Sequence, residues 1–157
     1  MRPAKKVSDS LTEQQYLIRP AHINPYGRLF GAQLLMWIDE VAGIVAVRHA
    51  NAIVTTAAID NLQFSKPAYA GQMIVLRAQV TYVGRTSLEV RVDTFTEALD
   101  GSRTPINRAY IDMVAINDQG KAIEVPSLIL ETDEQRAEYE AAIKRKEMRK
   151  QRRSEGF

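Results

Sequence analysis

The chain has 157 residues, a length suited to one domain with a substantial core and not to two. Its hydrophobic share of 45% and charged share of 25% are those of an ordinary globular protein. The absence of cysteine excludes a disulfide scaffold, Cys-ligated zinc and a thiol nucleophile. The net charge of +2 is uneven: Lys144 to Arg153 hold seven basic residues and one acid, so the remainder sums to about −4 and no globally basic, nucleic-acid-binding face is indicated.

Residues 1–9 read as a flexible arm, and Gln14 to Arg19 as a first strand that stops before Pro20. The stretch from His22 to Arg28 carries the turn chemistry of Asn24-Pro25 and Tyr26-Gly27. A helix is predicted from about Phe30 to His49, with Leu34, Leu35, Ile38, Val41, Ala42 and Val45 at helical spacing. Met36, Trp37 and Ile44 on its other side predict burial nearly all round. The period then changes to two. Strands are expected over Ile53–Phe64, Gln72–Val83, Thr86–Thr96 and Arg108–Asn117, separated by Lys66-Pro67, Gly84-Arg85, Asp100-Gly101 and Asn117–Gly120. On the second of these, Ile74, Leu76, Ala78, Val80 and Tyr82 share one face. Thr132 with Gln135 is a capping-box pattern that opens a final polar helix, whose basic end reads as solvated and frayed.

One strand, one long apolar helix, then consecutive strands joined by short turns predict an antiparallel sheet covered by a helix, an α+β layer fold. A five- to six-stranded sheet wrapped around one central helix is the hotdog arrangement. One protomer offers that helix too few partners, which points to dimerisation. No apolar run follows MRPAKK, so no signal peptide is visible. Asp39 and Glu40 interrupt the longest apolar stretch, against a membrane span. With no cysteine present, a cytoplasmic protein without membrane insertion is expected.

Asp39 is the anomaly. Its helical neighbours are Leu35, Met36, Ala42 and Gly43. An isolated buried carboxylate costs several kcal/mol, and a glycine inside a helix about 1 kcal/mol more than alanine. The residues alone leave two readings open. Either a ligand passes Gly43 and faces Asp39, or Asp39 serves a loop amide or reaches solvent. Gly27 and Gly31 precede the helix, whose first amides lack helical partners and favour anions, including the oxyanion of an attacked carbonyl. Asn24, in the loop leading in, carries an amide able to orient a carbonyl or water. Met36, Trp37 and Tyr69 suit either an acyl tunnel or the core. His22 and His49 have no metal-ligand company, so no metal is expected. Asp60, Glu97 and Asp112 read as surface or loop charges.

The segment HINPYGRLFGAQLLMWIDEVAG resembles the His-x-Asn-x-x-Gly-x-x-Phe-Gly-Gly-x-Leu-Leu-x-x-Ile-Asp signature of hotdog-fold acyl-CoA thioesterases, in the branch of the cytosolic brain-type acyl-CoA hydrolase and its bacterial homologues. VTTAAIDNLQFSKPAYAGQMI and VGRTSLEVRV extend the resemblance, which spans about residues 10–130. It implies a hotdog domain over 10–131, followed by a polar, basic C-terminal helix over 132–157. It also implies hydrolysis of fatty acyl-CoA to free acid and coenzyme A, without a cofactor.

By the same resemblance, Asp39 is the catalytic base or nucleophile and Asn24 acts from a neighbouring protomer. Thr56 positions water, and the Gly31 amide is the oxyanion donor. Arg85 and Lys66 contact the phosphates of CoA; Gly43 as a place where substrate passes rests on the residues and not on the resemblance. The implied assembly is a homo-oligomer built from hotdog dimers. Ala32 in place of the second Gly of Phe-Gly-Gly and Gln72 in place of a loop Asp depart from the pattern. The alternative is a non-catalytic acyl-CoA-binding regulatory hotdog protein. About nine residues before the first strand are too few for the DNA-binding module such regulators carry. A hotdog dehydratase would need a catalytic His near the helix.

Overall fold

The structure, a computed structural model, describes residues 2–157. A five-stranded antiparallel sheet has the order β2-β4-β5-β6-β3, from β2 (Thr12–Leu17), β3 (Ile53–Asp60), β4 (Met73–Val83), β5 (Ser87–Glu97) and β6 (Arg103–Ile116). Helix α1 (Gly31–Ala50) crosses its concave face, which gives the hotdog arrangement. Helix α2 (Asp133–Glu155) opens at Thr132, whose side chain accepts from the Gln135 amide.

The core lies between α1 and the sheet. Leu34, Trp37, Ile38, Val41, Ala42, Val45 and Ala46 of α1 meet Ile74, Leu76, Ala78, Val80, Leu88, Val90, Val92, Ala109, Ile111 and Met113. The alternation on β5 and β6 puts Glu89, Arg91, Asp93, Arg108, Tyr110 and Asp112 on the other face, where α2 docks. α1 is not buried all round: Met36 and Val47 are about half-exposed, and Asp39, Gly43 and Ile44 are half-buried. The stripe is left uncovered because one sheet reaches only one side of a helix.

Other departures from expectation have local causes. Residues 4–6 are not a free arm. They form β1 (Ala4–Lys6), parallel to β7 (Ser127–Ile129), and Val7 behind them is buried. Ile53–Phe64 ends as a strand at Asp60, because Asn61 turns left-handed at φ +57°. β6 begins five residues earlier than expected. Pro105, which argues against a strand, sits beside a register shift on the β5 side. In β4 a bulge between Val80 and Tyr82 resets the alternation, so Val83 enters the core while Tyr82 packs on Tyr139 of α2.

The basic end of the chain is not a frayed tail. Arg149, 8% exposed, bonds the fully buried Glu89 at 3.2 Å and Asp60 at 2.8 Å, and Arg145 bonds Glu89 at 2.8 Å. Asp60 and Asp112 therefore serve as partners of α2 rather than as free surface charges. A buried carboxylate needs its cation, so removing residues 144–157 would strand Glu89.

His49, fully buried near the end of α1, donates Nε2–H to the Pro126 carbonyl at 3.0 Å, while Nδ1 has no partner among the described residues. Burial holds this imidazole below its ordinary 6.5, and the Lys5 and Arg2 cations push the same way, against the Pro126 bond. The native state keeps His49 neutral, whereas the unfolded chain takes a proton below about 6.5. Stability is therefore expected to fall as pH drops from 6.5 toward 5, by at most about 1.4 kcal/mol per pH unit. His49→Gln, which keeps an N–H donor, should flatten that part of a Tm-against-pH curve. An unchanged slope would clear His49 of the effect.

Candidate active site

Two clusters of polar groups lie on α1, at its start and at its middle. Gly27, at φ +78°, closes the turn that begins at Asn24. The Asn24 Oδ1 accepts from the amides of Tyr26 at 3.0 Å and Arg28 at 3.1 Å. This fixes the side chain and leaves its Nδ2 hydrogens to point elsewhere. The turn delivers the chain to the start of α1, where, among the described residues, neither the Gly31 nor the Ala32 amide donates to another backbone group.

Asn24, Gly31 and Lys66 line one cavity of about 300 Å³, with Arg28, Leu29, Leu34, Phe64, Ser65, Pro67, Ala68 and Ile106. A Cβ on Gly31 would come within 3.3 Å of the Phe64 ring, so glycine there lets the wall close against the helix start. Free N–H groups at a helix start, an amide and two cations, set in an apolar wall, suit a group that carries or develops negative charge. Phe64 and Ile106 belong to this wall, yet nothing local in the sequence marks them. Phe64 lies in the loop after β3 and Ile106 on β6, and the two meet only in the fold.

The second cluster is the pair Asp39 and Thr56. Thr56 Oγ1 donates to Asp39 Oδ1 at 2.6 Å, from β3 to the middle of α1. Among the described residues no hydrogen bond reaches Oδ2. The carboxylate is not sealed in the core, because it sits on the uncovered stripe of the helix. Gly43, one turn on, would meet no heavy atom within 4 Å if it carried a Cβ. Two of the remaining candidates stand apart. Arg85, 82% exposed along its side chain, pairs with Glu124 at 3.0 Å and lines neither place. Trp37 is core, stacked on Tyr16 with centroids 4.6 Å apart, whereas Met36 and Tyr69 are nearly half-exposed. His22 Nδ1 accepts from the Arg19 amide at 3.1 Å, a loop role. No three His, Cys, Asp or Glu among the described residues gather as a metal-binding group. No helix of the described residues is long and apolar enough to cross a membrane.

The family model described as the thioesterase superfamily matches residues 26–100. The uncharacterized acyl-CoA thioester hydrolase YkhA of Bacillus subtilis is 34% identical over 134 residues, which are 85% of this chain and 78% of that protein. The chain belongs to the hotdog-fold thioesterase superfamily.

Two solved thioesterase structures extend the likeness. An acyl-CoA hydrolase from Staphylococcus aureus, solved with butyryl coenzyme A and coenzyme A, has a TM-score of 0.91 and 34% identity, over 98% of this chain and 94% of that one. A hexameric acyl-CoA thioesterase without ligand has a TM-score of 0.91 and 39% identity, over 96% and 97%. The Staphylococcus enzyme has also been solved as three separate single variants, with alanine in place of an asparagine, an aspartate or a threonine, positions that follow one another at intervals of 15 and 17 residues. Asn24, Asp39 and Thr56 follow one another at the same intervals.

Proposed function

We propose that this chain hydrolyses acyl-CoA thioesters to a free fatty acid and coenzyme A, at a site assembled from two copies. The observation that carries the reading is the placing of the two clusters. Gly31 and Asp39 are eight residues apart on one helix, about 12 Å along its axis at 1.5 Å per residue. An oxyanion donor and a base must both lie near 3 Å from the same thioester, so one protomer cannot bring them together. A second copy laid on the uncovered stripe of α1 supplies the missing half: Asn24 and the Gly31 amide from one chain, Asp39 and Thr56 from the other.

The chemistry follows from those groups. Thr56 holds one oxygen of Asp39, and the other takes the proton of a water that attacks the carbonyl carbon. The carbonyl oxygen becomes an oxyanion facing the Gly31 N–H, with the Asn24 amide orienting the carbonyl or the water. The C–S bond then breaks, and the sulfur of CoA leaves with the proton held by Asp39. With Asp39 as nucleophile, the same groups serve a mixed-anhydride intermediate that water opens. Neither route calls for a cofactor. Gly43 leaves room on the stripe for the substrate to pass. The cysteine-free composition suits a cytoplasmic setting, and a homo-oligomer built from hotdog dimers suits the open stripe. Release of free thiol from a panel of acyl-CoAs tests the activity, and absence of release from every chain length would refute it.

The polyanionic end of CoA needs cations. Lys66 lies at the mouth of the helix-start cavity, and Arg85 sits in a short turn where a phosphate can replace Glu124 as partner. Arg85→Ala is expected to raise KM for acyl-CoA about tenfold with little change in kcat, the pattern of lost uniform binding. An acyl-pantetheine without the nucleotide should not feel the change. An equal effect on both substrates would mean that Arg85 only supports its turn.

A further inference from the structure

Strand β3, which carries Thr56, is an edge of the sheet and, among the described residues, pairs only with β6. Its register is broken once: Thr55 and Thr56 face Val114 and Met113, then Ala58 faces Asp112, so Ala57 is an extra residue. Side chains alternate across a strand, and an extra residue resets which face follows. Before the bulge Val54 packs on the core and Thr56 reaches Asp39. Beyond it Ile59 packs on the core and Asp60 meets α2 on the opposite face. A regular strand would put Asp60 on the same face as Thr56 and turn Ile59 out. If the bulge slipped to a position before Thr56, the hydroxyl would leave Asp39.

One guanidinium grips both strands just beyond this bulge. Arg149 of α2 bonds Asp60 Oδ2 at 2.8 Å and lies 3.7 Å from Asp112 Oδ1, the residue opposite the bulge. It also bonds Glu89, which pairs in register with Asp112 and accepts at 2.7 Å from Thr81, the extra residue of the β4 bulge. Arg152 holds the other oxygen of Asp60 at 2.5 Å.

We propose that Arg149 is a positioning residue for the thioester site: by binding Asp60 and Asp112 together it fixes the β3 bulge at Ala57, and so holds the Thr56 hydroxyl on Asp39. The C-terminal helix thereby acts on the chemistry through the sheet, from the face opposite the substrate. This inference rests on the reading of Asp39 and Thr56 as catalytic groups.

The test is a cycle of variants of the full-length oligomer, read as kcat, KM and Tm with one acyl-CoA. Arg149→Met and, as a milder lesion, Asp60→Ala should each lower kcat about tenfold with KM unchanged, as expected for a displaced catalytic group. In a Thr56→Ala background neither should lower kcat further, because the group being positioned is gone. Arg91→Met is the control. It removes the bonds of β5 to Glu138 of α2 at 2.9 Å and to Asp93 at 3.0 Å, neither of them on β3, and should lower Tm with kcat within about twofold.

Wild-type kcat in Asp60→Ala, equal losses with and without Thr56, or a loss in Arg91→Met as large as in Arg149→Met would each overturn the proposal. If Arg149→Met does not fold, Asp60→Ala with its Thr56→Ala double decides alone. A Thr56→Ala chain that turns over at the wild-type rate would show a different failure. It would remove Thr56 from the catalytic site, and the inference would fall with that reading.

Discussion

Asp39→Asn is expected to lower kcat for acyl-CoA by two orders of magnitude or more while leaving Tm and oligomeric state close to wild type. The loss is that of a general base, or more if the carboxylate is the nucleophile. Stability should hold because the change is isosteric and the hydrogen bond from Thr56 is kept. The Asn side-chain oxygen still accepts from Thr56 Oγ1, where the carboxylate accepts at 2.6 Å. The half-buried setting adds little, since no charged partner is stranded. Thiol release and thermal unfolding on the same preparation check both halves. Turnover within a few-fold of wild type would remove Asp39 from the chemistry.

Asn24→Ala is expected to cost roughly 100- to 1000-fold in kcat, the range seen when an oriented amide donor is lost. Here the change also removes the acceptor for the Tyr26 and Arg28 amides, so part of the loss would come from a loosened turn. Asn24→Asp separates the two effects. It keeps the oxygen that closes the turn and discards the N–H donor. Its kcat should fall about as far as that of Asn24→Ala while its Tm stays nearer the wild type. If Asn24→Asp is as active as wild type, the residue serves the turn alone.

Much of this architecture is readable from periodicity, and the unread part has a physical cause. Leu88, Val90 and Val92 alternate with Glu89, Arg91 and Asp93, which reads as one face packed and one face solvated. The packed face is real. The charged face is covered too, but by another charged surface: Arg145, Arg149 and Glu138 meet Glu89, Asp60 and Arg91. Hydropathy cannot distinguish a charge paired across an interface from one in water. The same blindness makes Lys144–Arg153 look like a frayed tail. Bulges at Ala57 and Thr81 are equally silent, since each is one extra residue with no turn chemistry of its own.

The candidate site is legible where a residue type is costly. Asp39 and Gly43 stand out in an apolar helix, and Gly31 marks its start. The cavity wall of Phe64 and Ile106 was not legible, since it arises from the meeting of distant segments. The setting of Asp39 is left open by the residues alone. It lies on an open stripe of α1, not deep in the core, and that stripe is the ground for a site shared between copies.

Subunit mixing tests that shared site most directly. Asn24→Ala and Asp39→Asn protomers are each expected to be nearly inactive alone. After subunit exchange in equal amounts, confirmed by differently tagged chains, half the dimers should be hybrids. Each hybrid carries one site with Asn24 from one chain and Asp39 from the other. Thiol release should then return to about a quarter of the wild-type rate per protomer. No return of activity in a mixture whose hybrids are demonstrated would place both groups in a site within one chain, and would contradict the account.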